Sequence, residues 1–367
     1  MKIKFTYIAL AVAGMAAFTS CKKDKTTPTE PEEQVQPYTV PATYTFTGAD
    51  YSKATARVKM GAELNSYLGT ANNASITATK ANDMFDNKNS QFADATLNTS
   101  GVTLAEKTSN ADFFRGHFTT QATNSMSNNV AAVNGAAGVV ISGTTKRLVG
   151  ATGLESNQAV AKGMMGALYF KEVVKLLSNI GNDDNKAVTN NTTLAQRNWD
   201  DAFGLLGIPA DYDPDKTYTS ADANRPLLWG GYLAERGKEI LAGKTIFEAF
   251  RKGRAALGGK DKVVVAEQAK IILDKWEQLN AAAALEYATI PTRSVNVGNL
   301  ATQFHALSEG FGFVYSLQFR QTGSKLSAAD YAKLKATFDT NFYTLINEAN
   351  FTKLVEAQTI LKTTYGL

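Results

Sequence analysis

Cysteine, histidine and long apolar runs are scarce in this chain of 367 residues, and each scarcity excludes something. With one Cys there is no intramolecular disulfide and no zinc site built from several thiolates. Two His, His117 and His305, are too few for a three-His metal centre within one chain. No apolar stretch reaches the roughly 18 residues that would mark a membrane-spanning helix. A Gly-x-Ser-x-Gly elbow, a Walker loop and a dinucleotide fingerprint in strand-to-helix context are all missing, so nucleophilic hydrolysis and nucleotide chemistry have no footing. Basic blocks interleaved with aromatics are missing too, and with a formal charge of only +4 nucleic acid is not an expected partner. What remains is ordinary globular composition, 44% hydrophobic and 20% charged, enough to bury a core.

The amino terminus carries the clearest pattern. Lys2 and Lys4 precede an apolar run over 8–18, then small Thr19 and Ser20, then Cys21. These are the three regions of a secretory signal peptide, here 1–20. Phe18-Thr19-Ser20-Cys21 resembles a bacterial lipobox, which implies acylation of Cys21 and a membrane as partner through its acyl chains. The alternative is a secreted soluble protein with an incidental Cys. Residues 22–36 are Lys, Thr, Pro, Glu and Gln with almost nothing apolar, so 21–37 reads as a lipidated, disordered tether. No Asp follows Cys21, which argues against inner-membrane retention and for the outer membrane of the cell envelope, on either face.

From 38 onward an extended lead-in to Asp50 gives way to helical periodicity, and runs of period two are nearly absent. The spacing predicts helices over 52–67, 79–84, 155–177, 193–206, 228–241, 245–257, 261–289, 297–319, 331–347 and 352–363. Residues 111–136 suit a tightly packed helix or a loop. In 261–289 the stripe Val265, Ala269, Ile272, Trp276, Leu279 and Ala283 steps by three and four. Trp199, Trp229 and Trp276 read as core, which argues against a glycan-binding surface of exposed rings. The body 38–367 is therefore expected to be an all-α helical bundle, with a division, if any, near 180–227.

One constellation carries chemistry. His305 and Glu309 stand four apart, so a helix places them on one face where they meet each other or share one ion. The alternative is a packing pair in a seam between helices. Glu155 opens a core helix, where the helix dipole favours an acid in any case. The carboxylates of Asp211, Asp213 and Asp215 are a fragment of a calcium loop, without the Gly and Glu of an EF-hand, and read better as a turn. Asp200 and Asp201 beside Trp199 read as a polar patch. In 247–254, Glu248 can pair with Arg251 or Lys252, which makes the stretch a solvated face.

Several of these blocks together resemble a known family. Tyr44-Thr45-Phe46, Asp50-Tyr51, Thr55-Ala56-Arg57, the run Arg197-Asn198-Trp199-Asp200-Asp201-Ala202-Phe203-Gly204, the run Phe247 to Ala256 and Phe304-His305-Ala306-Leu307-Ser308-Glu309-Gly310 look like bacterial lipoproteins grouped as domain of unknown function 4856. That resemblance implies no reaction. More distantly, His305 and Glu309 resemble the Gly-x-His-x-x-Glu signature of imelysin-like envelope proteins, with Gln303 in place of Gly and one residue inserted. This second resemblance implies two packed helical bundles, an iron or other divalent metal ion at His305 and Glu309, and work beside an envelope uptake system for iron or haem. The expectation is a binding or accessory lipoprotein. Its rivals are an adaptor without a ligand site and a metal-dependent hydrolase.

Overall fold

The computed structural model describes residues 34–367. The signal peptide, Cys21 and most of the tether therefore lie outside the described residues. Val35–Leu367 forms one compact unit, and it is helical apart from one hairpin. In chain order the elements are α1 (Ser52–Gly69), α2 (Ala78–Phe85), α3 (Ala95–Asn98), α4 (Ala111–Ser125), β1 (Gly138–Ser142), β2 (Thr145–Val149), α5 (Ser156–Met164), α6 (Lys171–Ser178), α7 (Leu194–Leu206), α8 (Trp229–Glu235), α9 (Ala242–Gly258), α10 (Lys262–Thr289), α11 (Leu300–Ser316), α12 (Ala328–Phe338), α13 (Phe342–Ile346) and α14 (Thr352–Tyr365).

The centre is α10, which α9, α11 and α14 surround, and its predicted apolar stripe is buried along its length. Asp261 starts it by accepting a hydrogen bond from the Val264 N–H. Trp199, Trp229 and Trp276 are fully buried. The indole N–H of Trp199 donates to the Phe250 carbonyl at 2.9 Å, and that of Trp229 to the Met165 carbonyl at 2.7 Å.

The Met165 bond explains a local irregularity. Between α5 and α6 the helix widens into a π-helical segment, Met165–Phe170. Widening strands backbone carbonyls that an α-helix would satisfy. Trp229 takes one of them, and the Ser316 hydroxyl donates to the Lys162 carbonyl at 2.7 Å. Small residues allow the approach this needs. A Cβ on Gly312 of α11 would stand 2.5 Å from the Lys162 Cβ and 2.9 Å from the Gly163 nitrogen.

The expected lead-in carries neither helix nor strand and bends at 42–44 and turns at 47–48. Its Tyr44 N–H donates to the Ala210 carbonyl at 2.7 Å, and the Tyr44 ring stacks on Phe203 with centroids 3.6 Å apart.

Three segments differ from the periodicity. The 228–241 helix stops at Glu235, just before Gly237, a poor helix former. The chain then turns through Leu241 at φ 54° before α9 begins. The 331–347 helix breaks after Phe338, and Asn341 caps α13 by accepting from the Tyr343 N–H. Residues 138–149 form an antiparallel hairpin paired Gly138↔Val149 to Ser142↔Thr145, with Gly143 at φ 57° taking the first position of its two-residue turn. The hairpin is pinned at both ends. The Leu148 N–H donates to Asn72 Oδ1 at 2.9 Å, and Asn299 Nδ2 donates to Ser142 Oγ at 2.9 Å.

Candidate functional site

The hairpin lies against α11, and this brings Arg147 of β2 over His305. Asn299 caps α11 by accepting from the Thr302 N–H, so the His305 and Glu309 side chains project from its second and third turns. Glu155 is the residue before α5. Its backbone N–H donates to the Ser308 hydroxyl at 2.9 Å, and its carboxylate makes no cap bond to its own helix. That carboxylate turns to His305 instead. Lys162, two helical turns along the same face, reaches Glu309. The pair read from the sequence is thus part of a five-residue charged seam built from β2, α5 and α11.

The distances define its logic. Arg147 Nη1 stands 2.6 Å from His305 Nδ1, and Glu155 Oε1 stands 3.1 Å from the same nitrogen. A guanidinium only donates, so at 2.6 Å Nδ1 must carry the lone pair and the ring proton sits on Nε2. Nδ1 then has no proton to give Glu155, whose Oε2 is buried without a hydrogen-bond partner and lies 3.8 Å from Arg147 Nη1. On the other side of the ring, Nε2 faces Glu309 Oε1 at 3.7 Å, which is ion-pair distance and too long for a hydrogen bond. Lys162 Nζ lies 3.1 Å from the same Glu309 oxygen and 5.1 Å from the Tyr232 ring centroid.

Burial is uneven. Glu155 is 0% and Glu309 7% exposed, while the side chains of His305 and Arg147 keep 24%. Burial acts to raise the Glu309 carboxyl. The charge of Lys162 leads the groups that outweigh it, and the net shift is downward, so Glu309 is ionised at neutral pH. The Tyr287 hydroxyl meets that of Tyr232 at 2.8 Å. Burial and the nearby Glu309 push both phenols well above their ordinary value.

The arrangement does not fit a resident divalent ion. Each carboxylate already faces a cation, and Nδ1 of the imidazole accepts from Arg147. Among the described residues no three His, Cys, Asp or Glu side chains gather as a metal-holding group. Arg147, Lys162, Tyr232 and Tyr287 were not foreseen as members. Lys162 was within reach, since it follows Glu155 by seven residues on one helical face. Arg147 was not, because nothing in the sequence aligns a hairpin strand with a helix 158 residues away.

The other singled-out residues go elsewhere. Asp200 is fully buried, with its Oδ1 2.8 Å from Arg254 Nε and 2.7 Å from the Tyr44 hydroxyl. The patch at 200–201 and the face at 247–254 are therefore joined in one buried network at Asp200 and Arg254, while Glu248 and Lys252 stay on the solvated side, 3.9 Å apart, and the half-buried Arg251 donates to the Pro41 carbonyl. Asp213 Oδ1 accepts from the Asp215 N–H, the turn anticipated there. His117 packs edge-on against Phe113 at 4.5 Å, with its Nδ1 buried and unpartnered.

A family model described as a domain of unknown function, DUF4856, matches residues 41–348. No curated protein and no solved structure matches the chain.

Proposed function

Because this chain belongs to the DUF4856 family, whose description assigns no activity, we propose its role from its own residues: an acylated envelope lipoprotein acting as a binding or accessory protein. Lys2, Lys4, the apolar run over 8–18 and Cys21 support the anchor. The observation that carries the accessory reading is the internal neutralisation of the seam. Arg147 and Lys162 compensate Glu155 and Glu309, which leaves His305 with neither a free basic nitrogen nor an open pair of ligands. On this reading His305 fastens the hairpin and α5 to α11. Any part in iron or haem uptake then runs through contact with a partner and not through an ion held here.

Two experiments test it. Full-length protein expressed in a Gram-negative host should incorporate labelled palmitate and partition with detergent, and Cys21→Ser should abolish both. Failure of the unaltered chain to take up label ends the anchor. Metal analysis of protein purified without chelators should find the same substoichiometric content in wild type and His305→Ala. One equivalent of metal in wild type that the variant loses would overturn the accessory reading in favour of a metal centre.

A further inference from the structure

Away from His305, a second place in the fold gathers donors that the chain leaves without acceptors. The loop over 212–220, α8 and the start of α9 border a cavity of about 580 Å³. The helix α9 is 17 residues long, and its first turn carries neither an acid nor a side-chain cap. In that turn the N–H groups of Gly243 and Lys244 have no hydrogen-bond partner among the described residues. A helix start left in this state favours an anion. Tyr212 meets the same turn from the loop. A Cβ on Gly243 would stand 2.5 Å from the Tyr212 hydroxyl oxygen, so a glycine is needed there for the ring to reach it. Tyr212 is 5% exposed, and its hydroxyl makes no hydrogen bond among the described residues, yet it lines the cavity and is not sealed off from it. Burial first, and then Tyr218, Asp213 and Asp215, push its pKa up to about 12, so it is protonated and free to donate at neutral pH. Buried phenols ordinarily find a partner, and this one faces open volume beside two unpaired N–H groups.

We propose that this cavity binds a small phosphomonoester, whose phosphoryl oxygens accept from the Gly243 and Lys244 N–H groups and the Tyr212 hydroxyl. Charge selects an anion. Four basic side chains, Lys216, Arg225, Lys238 and Lys244, stand on the lining against one acid, Asp215. Lys216 is bonded to Asp222 at 2.7 Å, whereas the side chains of Arg225, Lys238 and Lys244 have neither an ion pair nor a hydrogen bond among the described residues. Asp213 holds the Asp215 N–H on its Oδ1 at 2.9 Å, which keeps that carboxylate occupied within the loop. Donor number selects phosphate over carboxylate. Two N–H groups, a hydroxyl and three unpaired cations exceed the roughly four acceptor sites of a carboxylate, and they suit the three terminal oxygens and the double charge of a phosphoryl group. Size selects an ester. The volume falls within the range of small-molecule sites, about 300–1,000 Å³, and is more than a bare phosphate fills. Pro214, Leu233 and the Tyr212 and Tyr218 rings, parallel with centroids 5.9 Å apart, line the remainder and offer apolar contact to a sugar or glycerol carried by the phosphate.

No residue of the His305 seam lines this cavity, so its test is independent of the accessory reading. Detergent-solubilised full-length chain in phosphate-free buffer is titrated by calorimetry with glycerol phosphate, glucose phosphate, a short-chain phosphatidate, inorganic phosphate, glucose and acetate. At least one phosphomonoester is expected to bind, more tightly than inorganic phosphate, while glucose and acetate do not. Tyr212→Phe, which removes only the hydroxyl, should weaken that binding about tenfold. Lys238 and Lys244 are exposed, so a chain carrying Lys238→Gln and Lys244→Gln keeps its fold, and it too should bind about tenfold more weakly or worse. Lys362→Gln, which removes a charge from the exposed side of α14, should leave the affinity unchanged. Binding of glycerol phosphate or glucose phosphate supports the site with a free ester as its ligand, and binding of the phosphatidate alone supports it with a lipid head group. No ester bound, inorganic phosphate or acetate bound as tightly as any ester, glucose bound equally well, or an affinity that survives the two lysine substitutions each overturns the proposal.

Discussion

Asp200 and Arg254 show how far one residue's surroundings can depart from its local pattern. Helical spacing correctly left Glu248 and Lys252 outside. Arg254, two residues past Lys252, lies about 200° further round the helix and so points to the core. There it meets Asp200 of α7 and packs over Phe46, at 5.2 Å from the ring centroid. A guanidinium buried in this way is tolerable only with its acid. Asp200→Ala should therefore cost about 3–5 kcal/mol of unfolding free energy measured by urea denaturation, whereas a paired Asp200→Leu, Arg254→Met change should cost clearly less. Equal losses would mean that the ions are not coupled. His117 makes a residue-scale prediction of opposite chemistry. Burial lowers its pKa to about 4 from the ordinary 6.5, so the folded chain resists a proton that the unfolded chain accepts. Its neutral form favours folding fully above about pH 6.5, and stability declines as pH falls from there to about 4, by up to about 3 kcal/mol. A His117→Phe chain should lose less stability between pH 7 and pH 5 than wild type. The sequence offered only a His without a partner pattern, and what gives it meaning is the aromatic packing around it.

At the scale of elements, helices could be read wherever one face is apolar over several turns, as in α5 with α6, α7, α10 and α14. Their ends could be read where a cap is local. Thr193, for instance, makes a full capping box with Gln196. The hairpin could not be read. Its strands are five residues each, and their burial does not alternate but falls from the Gly138 and Val149 end to the exposed turn, which is set by tertiary packing. The same applies to the contact of α5 with α11, on which the His305 seam depends. Glycines set its spacing, and Gly312 meets the Lys162 side chain and the Gly163 backbone. Gly312→Ala would normally help a helix by about 1 kcal/mol. Here backbone stands in the way, so overpacking should dominate and the change should destabilise by about 1–3 kcal/mol in chemical denaturation. A neutral or stabilising result would show that the two helices are free to separate.

Across the whole molecule, ionised groups sit in the seams between helices, and their pH responses run in opposite senses. Burial raises Asp200, Asp201 and Glu277, which favours folding at low pH. Glu172, near Lys107 and Lys175, and Glu309, near Lys162, shift downward, which favours folding at higher pH. These opposing responses partly cancel in the wild-type acid limb, and the difference between two chains isolates one of them. Glu309 is suited to it because its depressed pKa has an identified cause. A carboxyl depressed on folding contributes its full stabilisation above its unfolded value of about 4.3 and loses it as pH falls through the folded value. Glu309→Gln removes that contribution and leaves Lys162 without its acid, at a cost of about 2 kcal/mol near neutral pH. Once wild-type Glu309 is itself protonated, the two chains carry the same charge at this position. Urea midpoints of wild type and Glu309→Gln should therefore lie well apart at pH 7.5 and draw together as pH falls below about 4.3. A constant gap would mean that Glu309 contributes through packing alone and that the seam is not held by charge.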